Sequence, residues 1–234
     1  MEVLNGIPIE LTLEAVLERM RVRNRNETII KNVQEMLEVA RPIARPKALY
    51  DVAYVENKEE DSLEIGGVKF NSRVLRANLD KVERVFPFIV TCGRELDEID
   101  IPADDFIKGY YLDQIKETVV VLARQYLEEL LKRNYAIEQL SRMGPGAGAG
   151  GDWPLPQQEK LFSLFGGRDK VEELIGVRLT ERFLMVPIKS VSGIFFPTKV
   201  KFESCQICPR ERCMVRRAPY DPELAEKYRS GVAV

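Results

Sequence analysis

Residues 179–202 read LTERFLMVPIKSVSGIFFPTKVKF. Apolar and aromatic residues come there in short runs, FLMVPI, SGIFFP and KVKF, separated by proline, lysine and a Ser-Gly pair. Runs this short, rich in Phe, Val and Ile and bounded by turn formers, predict strands rather than helix. Two more strand-like stretches lie upstream, ALYDVAYVE (48–56) and DSLEIGGVKFN (61–71), joined by a charged turn at 58–61, with Gly66-Gly67 as a hairpin turn inside the second. VFPFIVT (85–91) reads as a short buried strand that ends at Cys92-Gly93.

Between the strands the spacing turns helical. Residues 12–40 place apolar side chains three and four apart, with Thr12 as a cap and Arg25-Asn26-Glu27 dividing the stretch into two helices. RPIARP (41–46) stops helix, because each proline lacks a backbone donor and biases its predecessor toward extended geometry. A short helix is predicted over 74–79. One or two long ones run from 105 to about 140 with Tyr111, Ile115, Val119, Leu122, Tyr126 and Leu130 on one face and an interruption at 134–137. Two short helices follow, at 158–165 and 169–175. Helices mixed with antiparallel strands, without a βαβ rhythm, give an α+β class.

The chain has 234 residues, 45% hydrophobic and 31% charged, with 35 Lys plus Arg, 37 Asp plus Glu and no histidine. The missing histidine excludes Ser-His-Asp and Cys-His nucleophile pairs, His-ligated metals and imidazole acid–base chemistry. A formal charge of −2 offers no basic excess for nucleic acid or anionic lipid. The first residues carry acids and lack the basic and long apolar regions of a signal peptide. No apolar run reaches the roughly 18–20 residues that span a bilayer. The expected setting is cytoplasmic, with no membrane and no nucleic acid as partner.

Three features bear on chemistry. The loop at 144–151, GPGAGAGG, contains a formal GxGxxG match, but a helix is predicted before it and Asp152-Trp153-Pro154 come after it, so a dinucleotide fingerprint is rejected on context. Cys205, Cys208 and Cys213 form a C-x2-C-x4-C run in a chain with only four cysteines. In a reducing compartment that spacing points to metal or cluster ligation rather than crosslinks. Cys92, ending a strand, is the remaining candidate ligand. Four thiolates without histidine suit a 4Fe–4S cluster or an all-cysteine zinc site equally, because both take tetrahedral sulfur. Arg210, Arg212, Arg216 and Arg217 surround the cysteines; with Glu203 and Glu211 diluting them, they read as a solvated face or as a docking patch for an acidic partner.

The order of several segments resembles a known family. Arg142-x-x-Pro145-Gly146, Asp152-Trp153-Pro154, Gln158-Glu159-Lys160, Leu179-Thr180-Glu181-x-Phe183-x-Met185-x-Pro187 and Ser190-Val191-Ser192-Gly193 are similar, over about residues 120–200, to the activation domain of cobalamin-dependent methionine synthase. That family's signatures are Arg-x-x-Pro-Gly-Tyr-Pro and Leu-Thr-Glu-Ser-Phe-x-Met-x-Pro followed by Ser-Val-Ser-Gly. Val90-Thr91-Cys92-Gly93-x-Glu95-Leu96 is similar to stand-alone bacterial members, which often end in a cysteine-rich tail.

The resemblance implies a bent, C-shaped α+β domain with a central antiparallel sheet and flanking helices. It sets a domain at 1–202, whose N-terminal helical part is 1–45, and a cysteine-rich tail at 203–234. It implies an accessory, activating role: cobalamin of a partner, a methionine synthase or other corrinoid protein, is reduced from Co(II) to Co(I) by an external donor protein, and methyl transfer from S-adenosylmethionine traps it. Arg142 then matches the arginine that meets the S-adenosylmethionine carboxylate; Gly144, Pro145 and Gly146 match the loop along that cofactor; Ser190, Ser192 and Gly193 match a strand beside it. Two departures count against S-adenosylmethionine: Ala147 stands where the family has tyrosine, and the added glycines raise the entropy lost when the loop closes. They shift weight to Cys92, Cys205, Cys208 and Cys213 as holders of an iron–sulfur cluster that relays an electron. The competing expectation is a zinc-stapled, non-catalytic partner subunit of a corrinoid methyltransferase.

Overall fold

The structure is a computed structural model that describes residues 1–21, 25–147, 153–213 and 216–230. The N-terminal half of the glycine loop is therefore in view, while residues 148–151 and Asp152 lie outside the described residues. Strand β1 (Glu2–Asn5) leads to two helices, α1 (Leu13–Met20) and α2 (Glu27–Ala40). Each has a side-chain cap. Thr12 Oγ1 accepts from the Ala15 N–H at 3.1 Å, and Asn26 Oδ1 from the Ile29 N–H at 2.8 Å, so one orphan donor of each first turn is satisfied. Strands β2 (Lys47–Tyr50), β3 (Ala53–Lys58), β4 (Ser62–Ile65) and β5 (Val68–Asn71) come next, the last two joined at Gly66-Gly67, both with positive φ. Then come α3 (Arg73–Asn78), β6 (Arg84–Thr91), the 30-residue α4 (Phe106–Tyr135), β7 (Leu140–Met143), α5 (Gln158–Ser163), α6 (Arg168–Ile175), the two-residue pair β8 (Arg178–Leu179) and β9 (Met185–Val186), β10 (Ser190–Pro197) and α7 (Pro222–Ser230).

One curled antiparallel sheet holds β1 to β7 and β10, with β6 at its centre, while β8 and β9 pair separately with each other. On one edge β6 pairs with β2, through Phe88 to Thr91, and with β3, through Arg84 and Val85; on the other edge it pairs with β10. β1 adds to β2, β4 and β5 extend from β3, and β7 adds to the far half of β10. Both faces of β6 are buried, so its residues divide by parity. Phe86, Phe88 and Val90 join the large core beneath α1, α2 and α4, while Val85 and Ile89 enter the cores on the opposite face. Phe88 stacks on Phe195 of β10, with ring centroids 4.3 Å apart.

The α+β expectation holds, and several local expectations are corrected. The long helix ends at Tyr135, closed by left-handed Ala136, and residues 140–143 form β7 rather than more helix. A strand thus precedes the glycine loop, although no helix opens within the described part of it. KVKF is not a strand, because β10 stops at Pro197 and residues 199–202 join no ladder among the described residues. The sequence reading contains neither β1 nor α7. The tail packs inward: Phe202, Ile207, Ala225 and Tyr228 share a core with Phe70, Trp153 and Phe196. Among the described residues, no helix is long and apolar enough to cross a membrane.

Removing the Phe195 ring opens a cavity at the crossing of β6 and β10. Phe195→Ala is expected to lower the unfolding free energy by about 3–5 kcal/mol in urea titration, whereas Tyr54→Ala, at a 58% exposed position, changes it by less than ~0.5 kcal/mol.

Candidate ligand and metal site

β7 pairs with β10 only from Ile194 to Pro197, which leaves residues 190–193 of β10 as an open edge. The chain leaves β7 across that edge at very close range. A Cβ on Gly193 would lie 2.1 Å from the Met143 carbonyl oxygen, and one on Gly144 would lie 2.4 Å from that of Ser192. Both positions need glycine because two backbones touch there. Gly146, at φ +76°, turns the loop back, and its N–H donates to the Trp153 carbonyl at 2.8 Å. Trp153 is fully buried against Phe70, so the far end of the loop is anchored in the core. The nearby edge is fixed by side chains: the Gln158 amide donates to Ser192 Oγ, and Ser190 Oγ lies 3.0 Å from Thr91 Oγ1 and 2.7 Å from the Pro187 carbonyl oxygen.

Beside this crossing lies a cavity of about 480 Å³. Arg142, Gly146 and Ser190 line it, together with Cys205, Cys208 and Cys213. Two groups predicted from separate motifs thus share one space. Gly144, Ser192 and Gly193 do not line it; they belong to the backbone crossing next to Arg142 and Val191, which do. Cys92 stands apart. The parity that puts Phe86, Phe88 and Val90 into the large core carries Cys92 there as well, fully buried, with its thiol directed to the Gly93 carbonyl at 3.4 Å. Burial, helped by Asp97, pushes that thiol from an ordinary 9.0 up to about 12.

The cavity is cationic. Arg19, Arg124, Arg142, Lys189, Arg210 and Arg217 line it against one carboxylate, Glu117, among the described residues. Sequence reasoning missed Arg19, Glu117 and Arg124, which α1 and α4 bring in from far along the chain. Glu117 is shared by Arg19 and Lys189, Asp113 also pairs with Lys189, Glu128 with Arg124, and Glu203 with Arg217 at 3.2 Å. That leaves Arg142 and Arg210 without an ion pair among the described residues. Burial lowers the Arg217 pKa, and Arg124 and Arg19 push it the same way. Positive charge held partly out of water favours an anionic occupant.

The cysteine loop is tied down by Arg216, whose guanidinium donates to the carbonyls of Cys205 at 2.9 Å and Cys208 at 3.1 Å, and also to that of Arg210. The Arg217 N–H donates to Cys205 Sγ at 3.4 Å. The three sulfurs share a wall without converging: among the described residues, no three His, Cys, Asp or Glu side chains gather into a metal-holding group. A larger cavity of about 800 Å³, lined by Asn78, Arg84, Tyr135, Phe202 and Tyr228, contains none of the sequence-predicted site residues.

The sequence matches no family model and no curated protein. Among solved structures, one described as the MetH reactivation domain bound to AdoHcy is similar at a TM-score of 0.61 and 16% identity, covering 88% of this chain and 82% of that one. The chain has the fold of the MetH reactivation domain. In this MetH reactivation fold, Ser190 and Val191 at the start of β10 line the cavity together with Arg142 and the three tail cysteines.

The backbone crossing and the buried thiol each lead to a measurable outcome. Gly193→Ala separates β7 from β10, with an expected loss of about 1–3 kcal/mol in chemical denaturation and faster proteolytic nicking near residue 147. Cys92 keeps its proton when folded, while the unfolded chain releases it from about pH 9. Its contribution is intact below pH 9 and is lost as pH rises toward 12, by up to ~1.4 kcal/mol per pH unit. Tyr228, also raised to about 12 by burial, acts in the same sense. Thermal melts of Cys92→Ala are expected to fall less steeply over that window than those of the parent chain.

Proposed function

We propose that the chain is an accessory subunit of the stand-alone kind that activates a corrinoid methyltransferase, a methionine synthase or a relative, in a cytoplasmic setting. It holds the partner's corrin for reduction of Co(II) to Co(I). The observation that carries this reading is the meeting of Arg142, Gly146 and Ser190 in one cationic cavity, in a fold shared with a domain crystallised with AdoHcy. An S-adenosylmethionine-type ligand, when bound, supplies the methyl group that captures the reduced cobalt. Arg142 meets its carboxylate through a two-point guanidinium contact, which needs no acid or base and suits a chain without histidine. The Gly144–Gly193 crossing holds β7 close against β10 and so fixes Arg142 relative to Ser190, which orients the ligand toward the corrin. With Ala147 in place of an aromatic, the loop contributes little contact area, and Arg142 carries a correspondingly larger share of the affinity.

The C-x2-C-x4-C spacing and the cationic neighbours support an iron–sulfur cluster, while the three sulfurs, which do not converge among the described residues, count against it. Cys205, Cys208 and Cys213 would hold it, and it would supply one-electron capacity next to the ligand cavity; the electron itself comes from a separate donor protein. A zinc-stapled, non-catalytic subunit is the second reading, favoured by the packing of Phe202, Ile207 and Tyr228 into the core.

Calorimetric titration separates the two. S-adenosylmethionine is expected to bind saturably to the parent chain and at least tenfold more weakly to Arg142→Ala, the loss of a charge-assisted bidentate contact. Absence of heat at millimolar ligand in the folded parent chain contradicts methyl trapping.

A further inference from the structure

The cavity of about 800 Å³ shares no lining residue with the one at Arg142. It lies where α3, α4 and β10 end, at Asn78, Tyr135 and Pro197, and α7 reaches it with Leu224 and Tyr228. Aromatic rings line it. Tyr135 is tilted against Phe86, with centroids 4.8 Å apart, and the Arg84 guanidinium sits 5.2 Å over its ring. Phe202 and Tyr228 form another ring pair, with centroids 5.4 Å apart. The Tyr228 hydroxyl donates to Asn78 Oδ1 at 2.9 Å, and the Asn78 amide donates to the Val74 carbonyl at 2.8 Å. These contacts hold the rings in place before any ligand arrives, so little ordering of the walls is needed on binding.

The polar lining leans to donors. Lys81, Lys199 and Lys201 are exposed there and Arg84 is half-buried, while the carboxylates that line the cavity among the described residues are Asp80, held by Arg76 at 2.7 Å, and the exposed Glu138. Gln139 also lines it, and its Nε2 is buried without a hydrogen-bond partner among the described residues. A turn of that amide about its soft terminal torsion offers the donor to an acceptor in the cavity. From this combination we propose a second binding site, separate from the one at Arg142, for a flat aromatic molecule that carries an anionic group. The ring system inserts among Tyr135, Phe202 and Tyr228, where offset and edge-to-face contacts add to the burial of area. The anionic group stays among the lysines, still in contact with water. A purely apolar ligand leaves the lysines and Gln139 unused, and an extended polyanion leaves the rings bare.

The test titrates 2-naphthoate into the isotope-labelled full chain and follows backbone amide shifts by nuclear magnetic resonance. Saturable shifts are expected at Asn78, Gln139, Phe202 and Tyr228, with those of Arg142 and Ser190 unmoved. The expected Kd is on the order of 0.1–1 mM, as suits a probe of about thirteen heavy atoms. The neutral 2-naphthol is expected to bind about tenfold more weakly, for want of the charge-assisted contact. Lys199→Ala combined with Lys201→Ala, both at exposed positions, is expected to weaken naphthoate by about fivefold without unfolding the chain. Excess AdoHcy is expected to leave the naphthoate shifts in place. The proposal is overturned if the folded chain shows no saturable shifts at roughly tenfold the upper Kd, or if the shifts fall at Arg142 and Ser190. Equal binding of 2-naphthol refutes the anionic part, and competitive displacement by AdoHcy refutes a separate site.

Discussion

The ladder between β6 and β10, with Ser190 to Phe195 opposite Thr91 to Phe86, constrains the rest of the molecule. β6 is buried on both faces, so a slip of one residue would drive Phe86, Phe88 and Val90 out of the large core and exchange them with Val85 and Ile89. The Phe88–Phe195 stack fixes the register across the ladder. Once it is set, Gly193 falls at the point where β7 leaves the sheet. Only glycine at 193 and 144 lets the two backbones pass. The open edge of β10 and the loop that borders the cavity are both consequences of this register.

The same constraint divides the cysteines. Parity sends Cys92 inward, where burial keeps it a thiol and makes it a poor nucleophile or metal ligand. The other three lie on a loop that α4 and α1 confront with arginines. A protein without histidine has few side chains with which to hold an anion, and here the arginines and the tail thiols line the same space.

Much of this is legible in the sequence. Thr12 reads as a cap because its side chain precedes apolar helical spacing, Asn26 reads only as part of the break between two helices, and VFPFIVT and SGIFFP read as strands because no helix buries runs so short and so aromatic. β1 is not legible, since an edge strand of four residues with exposed ends leaves no period. β7 is hidden because LSRM continues the apolar spacing of α4 across the left-handed turn at Ala136. α7 does carry a local signal: Asp221 caps it, accepting from the Leu224 N–H, and Pro222 occupies its first position. Within the site, Arg142, Gly146, Ser190 and the tail cysteines came from motifs. Arg19, Glu117 and Arg124 did not, because nothing local distinguishes them from ordinary helix surface until the tertiary fold brings α1, α4 and the tail together. The separation of Cys92 is readable from the 86, 88, 90, 92 alternation, but two-sided burial of β6 hides which face matters.

The start of β10, Arg142 with its loop, and the cysteine tail border one cavity. Hydrogen–deuterium exchange of the full chain, with and without AdoHcy, reads it directly. Added protection is expected in peptides covering residues 140–147, 190–193 and 205–217 together. Protection that falls instead on peptides around Asn78, Tyr135 and Tyr228, at the larger cavity, would contradict it.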